Sequence, residues 1–188
     1  APFSAAGFTY DVYSRGEGPG VVLIPEMPGV HPGVLALGNH LVDNGFTVDI
    51  PSLYGTPGAA AVRPGAAAVM LRGCVAKEFA AFATNADRPI AHYLRALARD
   101  LNERTPGKGV GVIGECWSGG FALAAAVDDS VLAPVMSQPS LPIGLTAKQK
   151  ADPGLSEAEL KVVERRAADE GLCALGLRFS EDPLSPGA

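Results

Sequence analysis

The stretch GVGVIGECWSGGFALAAAV, residues 109–127, constrains this chain more than any other part of it. An apolar, β-branched run climbs straight into Gly-Glu-Cys-Trp-Ser-Gly-Gly and continues as a small, alanine-rich apolar segment. When a strand reverses directly into a helix, the apex residue is forced into a strained backbone conformation. Its neighbours two positions away must then be small, or the two arms collide. Gly114 and Ser118 meet that demand around Cys116. The apex side chain then stands clear of the sheet at a helix N-terminus, where unpaired N–H groups and the helix dipole favour an anion. A thiol so placed ionises more readily than an ordinary cysteine, whose pKa is about 8.5.

Three other readings of this turn stand beside the nucleophile. Cys116 could simply pack in a tight strand-to-helix turn, because cysteine is among the most buried residue types. A register shifted by two would make Ser118 the apex between Cys116 and Gly120, at the cost of leaving Glu115 and Trp117 in the strand. A phosphate-binding turn is the third, although Gly114 to Gly120 lacks the lysine of GxxxxGK[ST] and the spacing of GxGxxG.

Strands and helices alternate around this turn. Short, nearly continuous apolar runs at Val21 to Ile24, Phe46 to Ile50, Val110 to Ile113, Val131 to Met136 and Cys173 to Phe179 read as strands covered on both faces. Helical spacing places helices at Gly33 to Asn44, Ile90 to Arg104, Ser118 to Val127 and Ser156 to Gly171. The last opens on a capping box, Ser156-x-x-Glu159, and ends at Gly171. The alternation predicts an α/β fold with a mostly parallel sheet and helices on both faces. Gly55 to Val69 and Met136 to Gly154 read as loops overhanging the carboxyl edge of that sheet, where α/β proteins bind ligands.

Composition narrows the function classes. At 188 residues the chain fits one domain, residues 1–188, and 47% hydrophobic with 19% charged residues excludes disorder. A net charge of -5 with no basic stripe argues against nucleic acid and against membrane surfaces. No apolar run reaches the roughly 18 residues of a membrane span. Three widely spaced cysteines, Cys74, Cys116 and Cys173, suit free thiols in a reducing cytoplasm better than disulfides or a metal clip. A cytoplasmic protein with no metal or organic cofactor is therefore expected.

Several segments, in order, resemble the dienelactone hydrolase family of α/β-hydrolases. Val22-Leu-Ile-Pro-Glu26-Met-Pro-Gly-Val30 is similar to the family's first strand and the acidic block after it, and Asp49-Ile-Pro-Ser-Leu-Tyr54-Gly to the next. Gly114-Glu-Cys116-Trp-Ser-Gly-Gly120 matches the nucleophile elbow, and Leu177-Arg-Phe-Ser-Glu-Asp182-Pro the strand ending in the triad acid. The resemblance spans about Gly20 to Pro186 and is weakest between Gly55 and Asn102. It implies an α/β-hydrolase fold and a carboxylic-ester or lactone hydrolase with a small-molecule substrate.

On that resemblance Cys116 is the nucleophile and Glu26 helps to generate its thiolate, the bland alternative for Glu26 being a solvated strand-end charge. The amides of Met27 and Trp117 form the oxyanion hole, since Pro28 has no N–H. Asp182 would orient the base histidine, with Glu181 less favoured and a plain Asp-Pro turn the rival reading. The family's histidine and a final helix follow that aspartate, whereas no histidine follows Cys116 here. The resemblance therefore implies a triad completed beyond Ala188, and severely impaired hydrolysis if nothing follows. His31, His40 and His92 are poor replacements, His31 being nearest. Glu115 could tune the thiol or face solvent, and Trp117 could line the pocket or cover the elbow. Arg63, Arg72 and Arg88 lie where a substrate carboxylate could be held, but none matches a motif position. Two rivals are a non-catalytic α/β-hydrolase-like binding protein and a thiol acyltransferase or peptidase built on the same turn.

Overall fold

The computed structural model describes residues 1–62, 64–139 and 152–181. Pro2–Ala5 (β1) and Phe8–Arg15 (β2) form an antiparallel hairpin, followed by Gly20–Ile24 (β3), Thr47–Pro51 (β4), Val110–Glu115 (β5), Val131–Ser137 (β6) and Leu175–Leu177 (β7). All seven join one sheet in the order β1-β2-β4-β3-β5-β6-β7. From β4 to β7 every pairing is parallel, and β2 runs antiparallel to β4. The central strands β3 and β4 are buried along their whole length, as continuous apolar runs require.

Among the described residues the helices are Pro32–Asp43 (α1), Ala66–Val75 (α2), Pro89–Arg104 (α3), Gly119–Ala125 (α4) and Glu157–Asp169 (α5), with a 3-10 turn, Cys116–Ser118, between β5 and α4. Helix α3 buries Ile90, Leu94, Leu97 and Leu101, the expected apolar stripe, in the larger core with α4. On the opposite face α1 covers a smaller cluster of Leu23, Val34, Val48 and Ile50. The capping box of α5 is present as read: Glu159 N–H donates to Ser156 Oγ at 3.3 Å and Ser156 N–H to Glu159 Oε2 at 2.8 Å.

Two buried arginines hold the far end of α4. Arg95 on α3 donates to the Ala124 carbonyl at 2.8 and 2.9 Å and pairs with Glu159. Arg166 on α5 donates to Ala126 O and to Asp128 O at 2.7 Å. Guanidinium groups there add charged donors to carbonyls at the end of the helix, where Ala124 O and Asp128 O also accept backbone N–H groups at 3.5 and 3.1 Å, and they face the negative end of the helix dipole. Their own burial is tolerable because each finds several acceptors.

The structure corrects three expectations. The hairpin β1–β2 extends the sheet beyond the strands read from the sequence. Ala66 to Val69, read as the end of the Gly55 to Val69 loop, are instead the start of α2, because alanine, leucine and methionine after Gly65 propagate a helix despite the glycines and prolines before them. The last strand is three residues long and exposed throughout, so Cys173 to Phe179 is neither a long strand nor covered on both faces. Part of the Met136 to Gly154 loop, residues 140–151, lies outside the described residues.

Candidate active site

The register of β3 and β5 sets the site. Ile24 pairs with Gly114, so Glu26 and Cys116 each lie two positions past paired strand residues. At the apex Cys116 has φ 51°, the left-handed conformation expected of a nucleophile turn, and its residue is half-buried. The small flank is a steric necessity: a Cβ at Gly114 would sit 2.3 Å from the Ser118 carbonyl oxygen. Ser118 is fully buried. Its Oγ accepts the Glu115 N–H at 2.9 Å and lies 3.0 Å from the Ile24 carbonyl, a donor contact that ties the turn to β3. That commitment, with an ordinary φ of -84°, makes Ser118 the buttress of the bend and leaves Cys116 as its apex.

Trp117 points down from the turn and is only 4% exposed. Its ring centroid lies 4.9 Å from Phe79, 5.5 Å from Phe121 and 5.6 Å from Tyr54, so it covers the elbow from below. Its amide opens the first helical turn, where N–H groups have no acceptor within the helix. Met27, the other expected oxyanion donor, belongs to the loop after β3, and its side chain packs on the same core.

That loop is held by the one after β4. Gly29 (φ 119°) and Gly55 (φ 75°) face each other so closely that a Cβ on either would meet backbone, at 2.3 Å from Tyr54 O and 2.0 Å from Pro28 O respectively. Gly58 N–H donates to Val30 O at 2.7 Å, and the Tyr54 hydroxyl donates to Pro25 O.

Glu26 has a partner that sequence reasoning did not assign. His31 is the N-cap of α1, and its Nδ1 accepts the Gly33 N–H at 3.0 Å. Its proton is thereby placed on Nε2, which lies 3.0 Å from Glu26 Oε1 and donates to it. The signal was the His31-Pro32 helix start five residues after Glu26; what it concealed was that the loop folds back on itself.

Glu115 is the second carboxyl here. It closes a capping box on the turn, its side chain accepting the Ser118 N–H, while Oε2 is buried with no hydrogen-bond partner among the described residues. Burial first, and then the negative charge of Glu26, push its carboxyl up to about 7, with His31 acting in the opposite sense. Burial likewise raises the Tyr54 phenol well above its ordinary value, with the charges of Cys116, Glu26 and Glu115 adding to the effect. Glu26, His31, Glu115 and Tyr54 are therefore linked in one electrostatic cluster, which reaches Cys116 through Tyr54.

The remaining candidates fall elsewhere. Arg88 is buried and committed to the Ala83 carbonyl at 2.7 Å, with Asp152 at 3.8 Å, so it anchors the approach to α3. Arg72 is exposed on α2, and His40 is exposed on α1. His92 is half exposed and bound to Asp87. Glu181 is exposed at the end of the described chain, and both Asp182 and Arg63 lie outside the described residues. Among the described residues no helix is long and apolar enough to cross a membrane.

Residues 7–175 match the dienelactone hydrolase family. Solved structures of similar fold include a candidate dienelactone hydrolase from Klebsiella pneumoniae subsp. pneumoniae (16% identity, TM-score 0.55, 93% of this chain and 81% of that one covered). Another is a dienelactone hydrolase-like promiscuous phosphotriesterase, P91, from metagenomic libraries (18% identity, TM-score 0.52, 97% and 83% covered). A third is the α/β hydrolase GrgF from Penicillium sp. sh18 (17% identity, TM-score 0.57, 91% and 54% covered). No curated protein matches the sequence.

Proposed function

The chain belongs to the dienelactone hydrolase family, hydrolases of ester and lactone bonds, and on that premise we propose that it works through a cysteine nucleophile and an acyl-enzyme. The observation that carries this reading is the left-handed apex at Cys116, half-buried and level with Glu26 across paired strands. Glu26 takes the thiol proton, and the sulfur attacks the carbonyl carbon of a small ester or lactone. The Met27 and Trp117 amides receive the oxyanion. Collapse breaks the C–O bond, the leaving alkoxide takes the proton back from Glu26, and water then hydrolyses the thioester to the acid and the free Cys116 thiol. Asp182 keeps the role its place in the family pattern assigns, orienting a base histidine. No metal or organic cofactor enters this sequence of steps, and a cytoplasmic setting suits the free thiol.

The test is turnover of a panel of activated esters and lactones by the full natural polypeptide and by its Cys116→Ala variant, with intact-mass detection of the acyl adduct. Cys116→Ala is expected to lower kcat about 1000-fold or more and to abolish the adduct. Turnover retained by Cys116→Ala would remove the thiol from the mechanism.

A further inference from the structure

We propose that Glu115 and His31 are positioning residues for Glu26, which together keep a single negative charge, on Glu26, beside the Cys116 thiol. The inference rests on the reading of Cys116 as nucleophile and deepens it.

Geometry makes the two carboxyl groups unequal. Glu26 receives a hydrogen bond from His31 Nε2 at 3.0 Å, and that tautomer is fixed because Nδ1 is occupied by the Gly33 N–H. Glu115 accepts the Ser118 N–H through one oxygen, while Oε2 is buried without a partner among the described residues. A buried carboxylate oxygen lacking a donor is costly, whereas a protonated carboxyl carries its own hydrogen. Two carboxyls in one site do not both ionise cheaply, so the charge settles on the one with the donor. The titratable groups that interact with Glu115 are Glu26 from the loop after β3, His31 from the start of α1 and Tyr54 from the loop after β4, and Tyr54 interacts with Cys116 as well. Its partner on β6, Ser137, is uncharged. The upward push on Glu115, to about 7, agrees with this division of roles.

A consequence follows for the thiol. While Glu115 is neutral, Glu26 carries the one charge of this carboxyl pair; it takes the thiol proton and becomes neutral itself. Once Glu115 ionises, a second negative charge opposes the thiolate. Activation of Cys116 therefore flattens as pH rises through about 7. Glu115→Gln keeps the acceptor for Ser118 and cannot ionise; His31→Ser keeps a helix cap but is too short to reach Glu26.

The test is the alkylation rate of Cys116 by iodoacetamide against pH, read peptide by peptide so that the exposed Cys173 serves as the internal reference. Glu115→Gln is expected to match the wild type at about pH 6 and to react about three- to tenfold faster at about pH 8.5. The wild-type profile should show an inflection near 7 that the variant lacks. His31→Ser should slow alkylation several-fold at about pH 6 while leaving Cys173 unchanged. It carries the test alone should Glu115→Gln fail to fold. Coincident profiles for the wild type and both variants, with Cys116 still faster than Cys173, would overturn the proposal and leave the nucleophile standing. A wild-type Cys116 no faster than Cys173 at any pH would bring down both.

Discussion

The elbow and helix α2 rest against the same tryptophan, yet they are held in opposite ways. In the elbow, backbone meets backbone at Gly114 and Ser118, the Ser118 hydroxyl binds the turn to β3, and the capping box closes it. Helix α2 approaches Met27 and Trp117 through Gly73, starts at Gly65 with no side-chain cap, and leaves Met70, Leu71 and Val75 exposed. The atoms proposed to do chemistry are thus fixed by several independent constraints, while one wall beside them is held by few.

Three substitutions probe this contrast. Gly114→Ala should be the most damaging, since its Cβ would press 2.3 Å from a carbonyl that cannot retreat. A loss of about 3 kcal/mol or more in urea unfolding is expected, with fast alkylation of Cys116 lost as well. A cost below about 1 kcal/mol would show that the elbow yields as readily as α2.

Glu115→Gln comes next and depends on pH. The folded carboxyl titrates at about 7 against an ordinary 4.5. Between those values the folded chain holds a proton that the unfolded chain has released, so stability falls as pH rises through this window. Above it, Glu115→Gln should be more stable than the wild type by about 1–2 kcal/mol, discounted for partial exposure, and the gain should vanish below about pH 4.5. Unfolding midpoints measured across pH decide it. A gain that is flat with pH would mean that the carboxyl is not strained.

Leu71→Ser should do least. At 64% exposure its side chain contributes little to the fold, and the change in unfolding free energy should stay within about 0.5 kcal/mol. A larger loss would mean that α2 is as firmly seated as the elbow.

Much of the architecture was legible because it rests on local pattern. The strand-to-helix turn, the stripe of Ile90, Leu94, Leu97 and Leu101, and the Ser156–Glu159 box are all set within a few residues of sequence. The N-terminal hairpin was not. Phe8–Arg15 mixes exposed and half-buried positions, and its antiparallel pairing with β4 is decided by tertiary contact. Helix α2 was masked by glycine and proline just before it. The left-handed bend at Cys116 and the place of Glu26 just past β3 were readable from the turn and the strand end. His31 was not, because its bond to Glu26 exists only once α1 begins at Pro32 and draws the imidazole back over the loop. The burial that sets Glu115 apart comes from neighbouring elements, which no spacing in the sequence reveals.

Helix α4 is only seven residues long, too short to persist in water unaided. Its carbonyl end lies in the grip of Arg95 and Arg166, side chains from two other helices. Order at that end is therefore borrowed from α3 and α5: loss of either guanidinium would loosen the short rod that follows the elbow, while the bend itself stays tied to β3 through Ser118.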